Sequence, residues 1–164
     1  MDSREIIKRT HRISALIGYA VFAALLLYLV LAELLKAKLA PFHGLYGLKD
    51  MQSIKNYRYL FYGLSAASVI LARLLQALLL RKKPGDTPLE LLNKLHRTYL
   101  ILVIMSEFPA MFGLILFLLW GLTRDFYILL GISVVVLFIF FPRRQAWEQW
   151  LVEKTGSIDW STGN

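Results

Sequence analysis

Between Thr98 and Thr123 one residue carries a charge: Glu107, two positions before Pro109. A carboxyl group in such an apolar run can exchange a proton, ligate a small cation or form an ion pair. Ionisable side chains inside apolar spans are rare and mark ion sites, proton relays or paired counter-charges. Pro109 has no amide hydrogen, so a helix through it leaves the carbonyl of Met105 without its usual partner. That carbonyl, the Ser106 hydroxyl and Glu107 together form a set of oxygens suited to a proton, a cation or a guanidinium.

The candidate counter-charge is Arg73. It lies eight residues before Arg81, and Glu107 lies ten residues after Arg97. At 1.5 Å per residue these offsets are depths of roughly 12 Å and 15 Å from one surface, so an antiparallel hairpin brings the two level. On a helical projection Gly63, Ala66, Ala67, Arg73 and Ala77 fall within an arc of about 120°. Ser106, Pro109, Ala110 and Gly113 share an arc of the other helix, with Glu107 at its edge. Small residues allow membrane helices to approach closely, so the two arcs are expected to meet and to bring Arg73 against Glu107. An isolated charge at the centre of a bilayer costs at least about 2.5–3.5 kcal/mol, and pairing removes most of that cost. Two readings follow. In one, the pair is a staple that fixes the register of the hairpin. In the other, Glu107 carries a proton or ion, although a level arginine would hold the carboxylate ionised.

The elements that must position these groups are spans. The chain has 164 residues, of which 57% are hydrophobic, with a mean hydropathy of +0.55. A spanning helix needs about 20 mostly apolar residues. Four segments qualify, at about 13–35, 57–80, 98–122 and 126–141, followed by a tail over 142–164. The expected fold is all-α: an integral membrane four-helix bundle of two helical hairpins, forming a single membrane domain.

Basic residues set the expected orientation. The N-terminal segment, the middle connection and the tail carry 12 of them, and the other two connections carry 6. By the positive-inside rule both termini and the middle connection are cytoplasmic, in the cell inner membrane. This topology accounts for the formal charge of +8 without a nucleic-acid partner. The long apolar run after the basic N-terminus ends without a small-x-small cleavage site, so a retained first helix is expected.

Local signals mark the connections. In "KAKLAPFHGLYGLKDMQSIKN", Pro41, Gly44 and Gly47 break the helix, and Phe42, Leu45, Tyr46 and Leu48 are apolar enough to lie on the membrane surface. In "RKKPGDTPLELLNKLHR", a Pro-Gly turn precedes Thr87, whose spacing to Glu90 makes a capping box with Pro88 at the first helical position. The turn "GLTRD" is tight. Trp147, Trp150 and Leu151 share one face of the tail, as boundary anchors do. "YLFYGLS" (59–65) and "YILLGIS" (127–133) align Tyr, Gly and Ser, an echo that a duplicated hairpin would leave.

The stretch "RKKPGDTPLELLNKLHRTYLILVIMSEFPAMFGLILFLL" resembles the loop and ion-carrying helix of the ring-forming proteolipid (c or K) subunits of rotary ATPases. In that family a polar cytoplasmic loop with Arg and Pro leads into a helix bearing the ion-binding carboxylate and then an aromatic-Gly-Leu-Ile/Val step. The resemblance covers about residues 63–119. It implies that Glu107 is the proton or sodium site and that Phe112, Gly113, Leu114 and Ile115 are the step. The chain departs from the family in lacking a glycine repeat before the loop, in carrying Arg73 level with the glutamate, and in placing the carboxylate in the third span.

Other chemistry has little support in the sequence. Absence of cysteine excludes disulfides, thiolate metal sites and thiol catalysis. His11 and His96 sit at the starts of spans and His43 at the other end, where each reads as a surface residue, so no haem, metal or other cofactor is expected. Glu33 is placed to pair with Lys36, its i+3 neighbour. Gly-rich phosphate loops, nucleophile elbows and HExxH are missing. The first expectation is therefore a non-enzymatic subunit or packing partner, with the lipid bilayer, other membrane subunits or a second copy as partners. The alternative is a proteolipid-like transport component that uses Glu107 to carry a proton or cation.

Overall fold

The computed structural model describes residues 3–46, 51–81, 87–141 and 143–156, and among them every regular element is a helix. In chain order these are α1 (Ser3–Lys38), α2 (Met51–Leu79), α3 (Pro88–Met105), α4 (Phe108–Trp120), α5 (Thr123–Phe140) and α6 (Arg144–Thr155). The expected Pro84-Gly85 turn, Leu48, Pro142 and the tail beyond Gly156 lie outside the described residues. Among the described residues four stretches are long and apolar enough to cross a membrane: Glu5–Lys38, Ile54–Leu79, Leu89–Trp120 and Thr123–Phe140.

The helix ends follow from local chemistry. Thr87 and Glu90 form the expected reciprocal box: the Thr87 amide donates to Glu90 Oε2 at 2.8 Å, and the Glu90 amide donates to Thr87 Oγ1 at 3.3 Å. At the far end of α4, Gly121 adopts a left-handed φ of 69° and donates its amide to the Phe117 carbonyl at 2.8 Å. The connection after α1 completes that cap. The amides of Leu45 and Tyr46 donate to the carbonyls of Leu118 and Leu119, each at 2.9 Å. A Cβ on Gly44 would lie 2.5 Å from the Leu119 carbonyl, so glycine is what lets the two backbones touch. Leu45 and Tyr46 are exposed, whereas Phe42 turns inward and packs on Phe117 with ring centroids 4.9 Å apart.

The third span is a broken column. α3 and α4 are separated at Ser106 and Glu107, and this column contacts α1, α2, α5 and α6. α4 and α5 form the tight hairpin that the "GLTRD" turn predicts. The main core runs between α1, the column and α5, through Val21, Leu25, Ala110, Phe117, Phe126 and Leu130. A second cluster joins Ala72 of α2 to Leu102, Met105, Val136 and Phe140.

The tail differs from the boundary-anchor expectation. Trp147 and Leu151 are fully buried, packed on Ile7, Leu91, Leu92 and Leu95, with Trp150 partly buried beside them. α6 folds back over the ends of α1 and α3. The apolar stripe found in the sequence meets protein, because α1 and α3 extend beyond their uncharged runs and offer an apolar face there.

Candidate functional site

Glu107 sits where two successive amides leave the helical ladder. Pro109 has none to give, and the Ala110 amide donates sideways to Ser133 Oγ of α5 at 2.8 Å. The Glu107 amide tightens to the carbonyl of Ile104 at 3.1 Å, and regular spacing returns with Met111 donating to the Glu107 carbonyl at 3.1 Å. Proline and a serine acceptor thus convert a continuous span into two helices, with Glu107 at the N-cap of the second. The positive end of the α4 dipole favours negative charge there, by about 0.3–1 kcal/mol.

The side chain of Glu107 is half-buried, and its Oε1 accepts a hydrogen bond from the Tyr28 hydroxyl of α1. Ser106 is fully buried, but its hydroxyl donates back to the Val103 carbonyl at 2.6 Å, so it satisfies the helix and does not reach towards the carboxylate. Met105, almost fully buried, packs against Ala72 and Leu102. The sequence missed Tyr28, one of several aromatics in the first span, with nothing in its spacing to single it out.

The expected Arg73–Glu107 pair is replaced by other contacts. Arg73 is exposed, reaches Gln76 Oε1 with Nη1 at 3.5 Å, and lies 4.9 Å from the centre of the Phe140 ring. Its neighbour Ala72 shares a buried cluster with Leu102 and Met105, so α2 does pack on α3 near this depth. The rotation differs from the expectation. α2 turns Ser65, Ser68 and Ala72 inward and leaves Gly63, Ala66, Ala67 and Arg73 exposed. Both sides of α2 carry small residues, so size alone did not decide between them. A Cβ on Gly63 would meet nothing within 4 Å.

On the other helix Pro109, Ala110 and Gly113 are buried, as the small-residue arc requires, and α5 provides the closest approach at Gly113. A Cβ on Gly113 would lie 2.9 Å from Leu129 Cβ and 3.2 Å from the Phe126 backbone. The two echoed segments behave alike: Gly63 and Gly131 face outward, and Ser65 and Ser133 are buried.

Two further polar clusters close the end of the bundle near the α1–α2 and α4–α5 connections. Asp125, 2% exposed, accepts on Oδ1 from Arg58 Nε and from Tyr62, each at 2.8 Å, and Arg58 Nη2 lies 2.7 Å from the same oxygen as an ion pair. Glu33 pairs with Lys36 at 3.3 Å, as its spacing predicts, and also accepts from Tyr127 of α5. At the opposite end Ser14 Oγ and His96 Nδ1 are 2.6 Å apart, and His11 stands edge-on to Trp147.

Comparison with known proteins finds no matching family model, no matching curated protein and no matching solved structure.

Proposed function

We propose that the chain is a non-enzymatic, four-span integral protein of the cell inner membrane, with both termini cytoplasmic, that binds a proton or small cation at Glu107. The observation that carries the reading is the Tyr28–Glu107 hydrogen bond at the break between α3 and α4. A carboxyl group whose partner is a neutral phenol, in an apolar span, can be neutralised by a proton or a cation without breaking an ion pair. The spanning reading rests on the four apolar helices and on their exposed faces: Leu16, Leu27, Ile70 and Leu78 are each at least 60% exposed. Side chains of that size on long faces fit hydrocarbon and are costly in water.

Carbodiimide labelling of the detergent-solubilised protein, read by mass spectrometry across pH, tests the site. The reagent modifies a protonated carboxyl group in an apolar setting. Labelling of Glu107 that declines as pH rises, and that disappears in Glu107→Gln, supports proton binding. An unlabelled Glu107 throughout the folded range overturns it. Because the chain has no cysteine, single cysteines at Lys8, Ala37, Arg124 and Gln145 give a clean topology map with an impermeant maleimide.

A second reading, a packing partner within a larger membrane assembly, is favoured by the outward face of α2. Gly63, Ala66 and Ala67 are exposed there beside Arg73, an arrangement suited to a neighbouring helix. Crosslinking from Ala67→Cys after gentle-detergent purification tests it: a crosslinked partner or second copy supports the reading, and a monomer in native membranes removes it.

A further inference from the structure

Between the end of α2 and the first half of α3 the molecule holds a cleft of about 380 Å³. Its polar lining is Arg81, Lys94, Arg97 and Thr98, and its apolar wall is Leu78, Leu79 and Ile101. The α3 residues recur at the spacing of one helix face, 94, 97, 98 and 101, so a single stripe passes from cations to hydrocarbon. Arg81 stands just beyond the last turn of α2, where its backbone amide still donates to the Leu78 carbonyl at 3.4 Å. None of the lining residues is acidic. Arg81 and Arg97 are exposed, and neither meets a carboxylate among the described residues.

The position of the cleft matters as much as its charge. Leu78 and Leu79 close the apolar run of α2, and Leu78 is 67% exposed. Ile101 lies within the apolar run of α3. The cleft therefore straddles the level at which apolar side chains give way to basic ones. A free phosphate would use the cations and leave the leucine wall in water. A glycerophospholipid satisfies both parts, with its phosphate on the arginines and the start of an acyl chain along Leu78, Leu79 and Ile101. Basic pockets between helices on the cytoplasmic side of a membrane bind anionic head groups in this way.

We infer that this cleft is a binding site for an anionic phospholipid, held by Arg81 and Arg97 through its phosphodiester and by the apolar wall through its acyl chain. The inference rests on the spanning reading above and is independent of Glu107. Zwitterionic lipids are selected against, because a choline group would face the same cations that hold the phosphate.

The test uses the full chain in a nonionic detergent, titrated with phosphatidylglycerol, phosphatidylcholine or inorganic phosphate and read by native mass spectrometry and thermal unfolding. The expected result is retained phosphatidylglycerol and a raised unfolding temperature, with neither effect from phosphatidylcholine. Arg81→Gln/Arg97→Gln should weaken phosphatidylglycerol binding about 30-fold, at roughly fivefold per cation lost. Arg124→Gln, at the other end of the bundle, should leave it unchanged. Both arginines are exposed, so the double variant should elute and unfold like the lipid-free parent. Equal binding of both lipids, or an undiminished double variant, overturns the inference. An equal shift with inorganic phosphate alone also overturns it, in favour of a free-anion site. Carbonate extraction of the native membranes separates the two levels of argument. A chain that stays in the pellet but lacks lipid selectivity sinks only this inference, whereas a chain released to the supernatant sinks the spanning reading beneath it.

Discussion

The hydroxyl of Tyr28 donates to Oε1 of Glu107 across 79 residues of sequence, tying α1 to the break between α3 and α4. This bond decides what the carboxyl group can do. An arginine would fix it as an anion, and proton loss or gain would then break a buried pair, a change of about 3–5 kcal/mol. A phenol interacts with both forms, because its oxygen accepts as well as donates.

The first prediction follows from that bond. Tyr28→Phe removes the donor and should lower unfolding stability by about 1–3 kcal/mol, the usual cost of leaving a half-buried polar group unsatisfied. Glu107→Gln keeps an acceptor for Tyr28 and should change stability by less than about 1 kcal/mol. A double-mutant cycle of Tyr28→Phe with Glu107→Ala, which does remove the acceptor, measures the coupling in mixed-micelle unfolding, and a coupling energy near zero would mean the contact contributes nothing.

The two glycines of the expected helix contact should respond in opposite directions. Gly113→Ala places a methyl group 2.9 Å from Leu129 Cβ and should destabilise the α4–α5 hairpin by about 1–3 kcal/mol. Gly63→Ala meets nothing within 4 Å and should stabilise α2 by up to about 1 kcal/mol through helix propensity. Melting temperatures of the two purified variants check both signs. If a partner helix covers α2, Gly63→Ala should instead weaken that association while leaving the isolated chain at least as stable.

That contrast shows how far the sequence could be read. Depth along a helix follows from counting residues, and Ala72 of α2 shares one buried cluster with Leu102 and Met105 of α3. Rotation about the helix axis needs a polar-to-apolar contrast, and a helix facing lipid on one side and protein on the other has little. Arg73 and Ala72 are adjacent in sequence but about 100° apart in direction, so a one-residue difference in the chosen arc put the arginine in the interface. The capping box at Thr87 was legible because it is local. Asp125 was not, because its significance depends on Arg58 and Tyr62, more than sixty residues away.

The Arg58–Asp125 pair yields an asymmetric prediction. Asp125 is buried, whereas the Arg58 side chain is 44% exposed. Arg58→Met leaves an anion in the interior with Tyr62 as its remaining donor, and should cost about 2–3 kcal/mol. Asp125→Asn keeps an acceptor and leaves an arginine that water can reach, and should cost about 1 kcal/mol. Comparable losses from the two substitutions would show that the pair is as hydrated as a surface ion pair.

Trp147 separates a folded cap from a boundary anchor. Its ring is fully buried among Ile7, Leu91, Leu92 and Leu95, and its Nε1 has no hydrogen-bond acceptor among the described residues. Trp147→Ala should therefore cost about 3–5 kcal/mol, the range for deleting a large buried aromatic. Trp147→Phe sacrifices no hydrogen bond and should recover more than half of that loss. A tryptophan that served only to anchor the tail at the lipid boundary would behave differently: either substitution would change bilayer partitioning of α6 and leave the unfolding free energy within about 0.5 kcal/mol of the parent. Guanidinium-free thermal unfolding in detergent distinguishes the two cases, with tryptophan fluorescence following whether the cap or the whole bundle opens first.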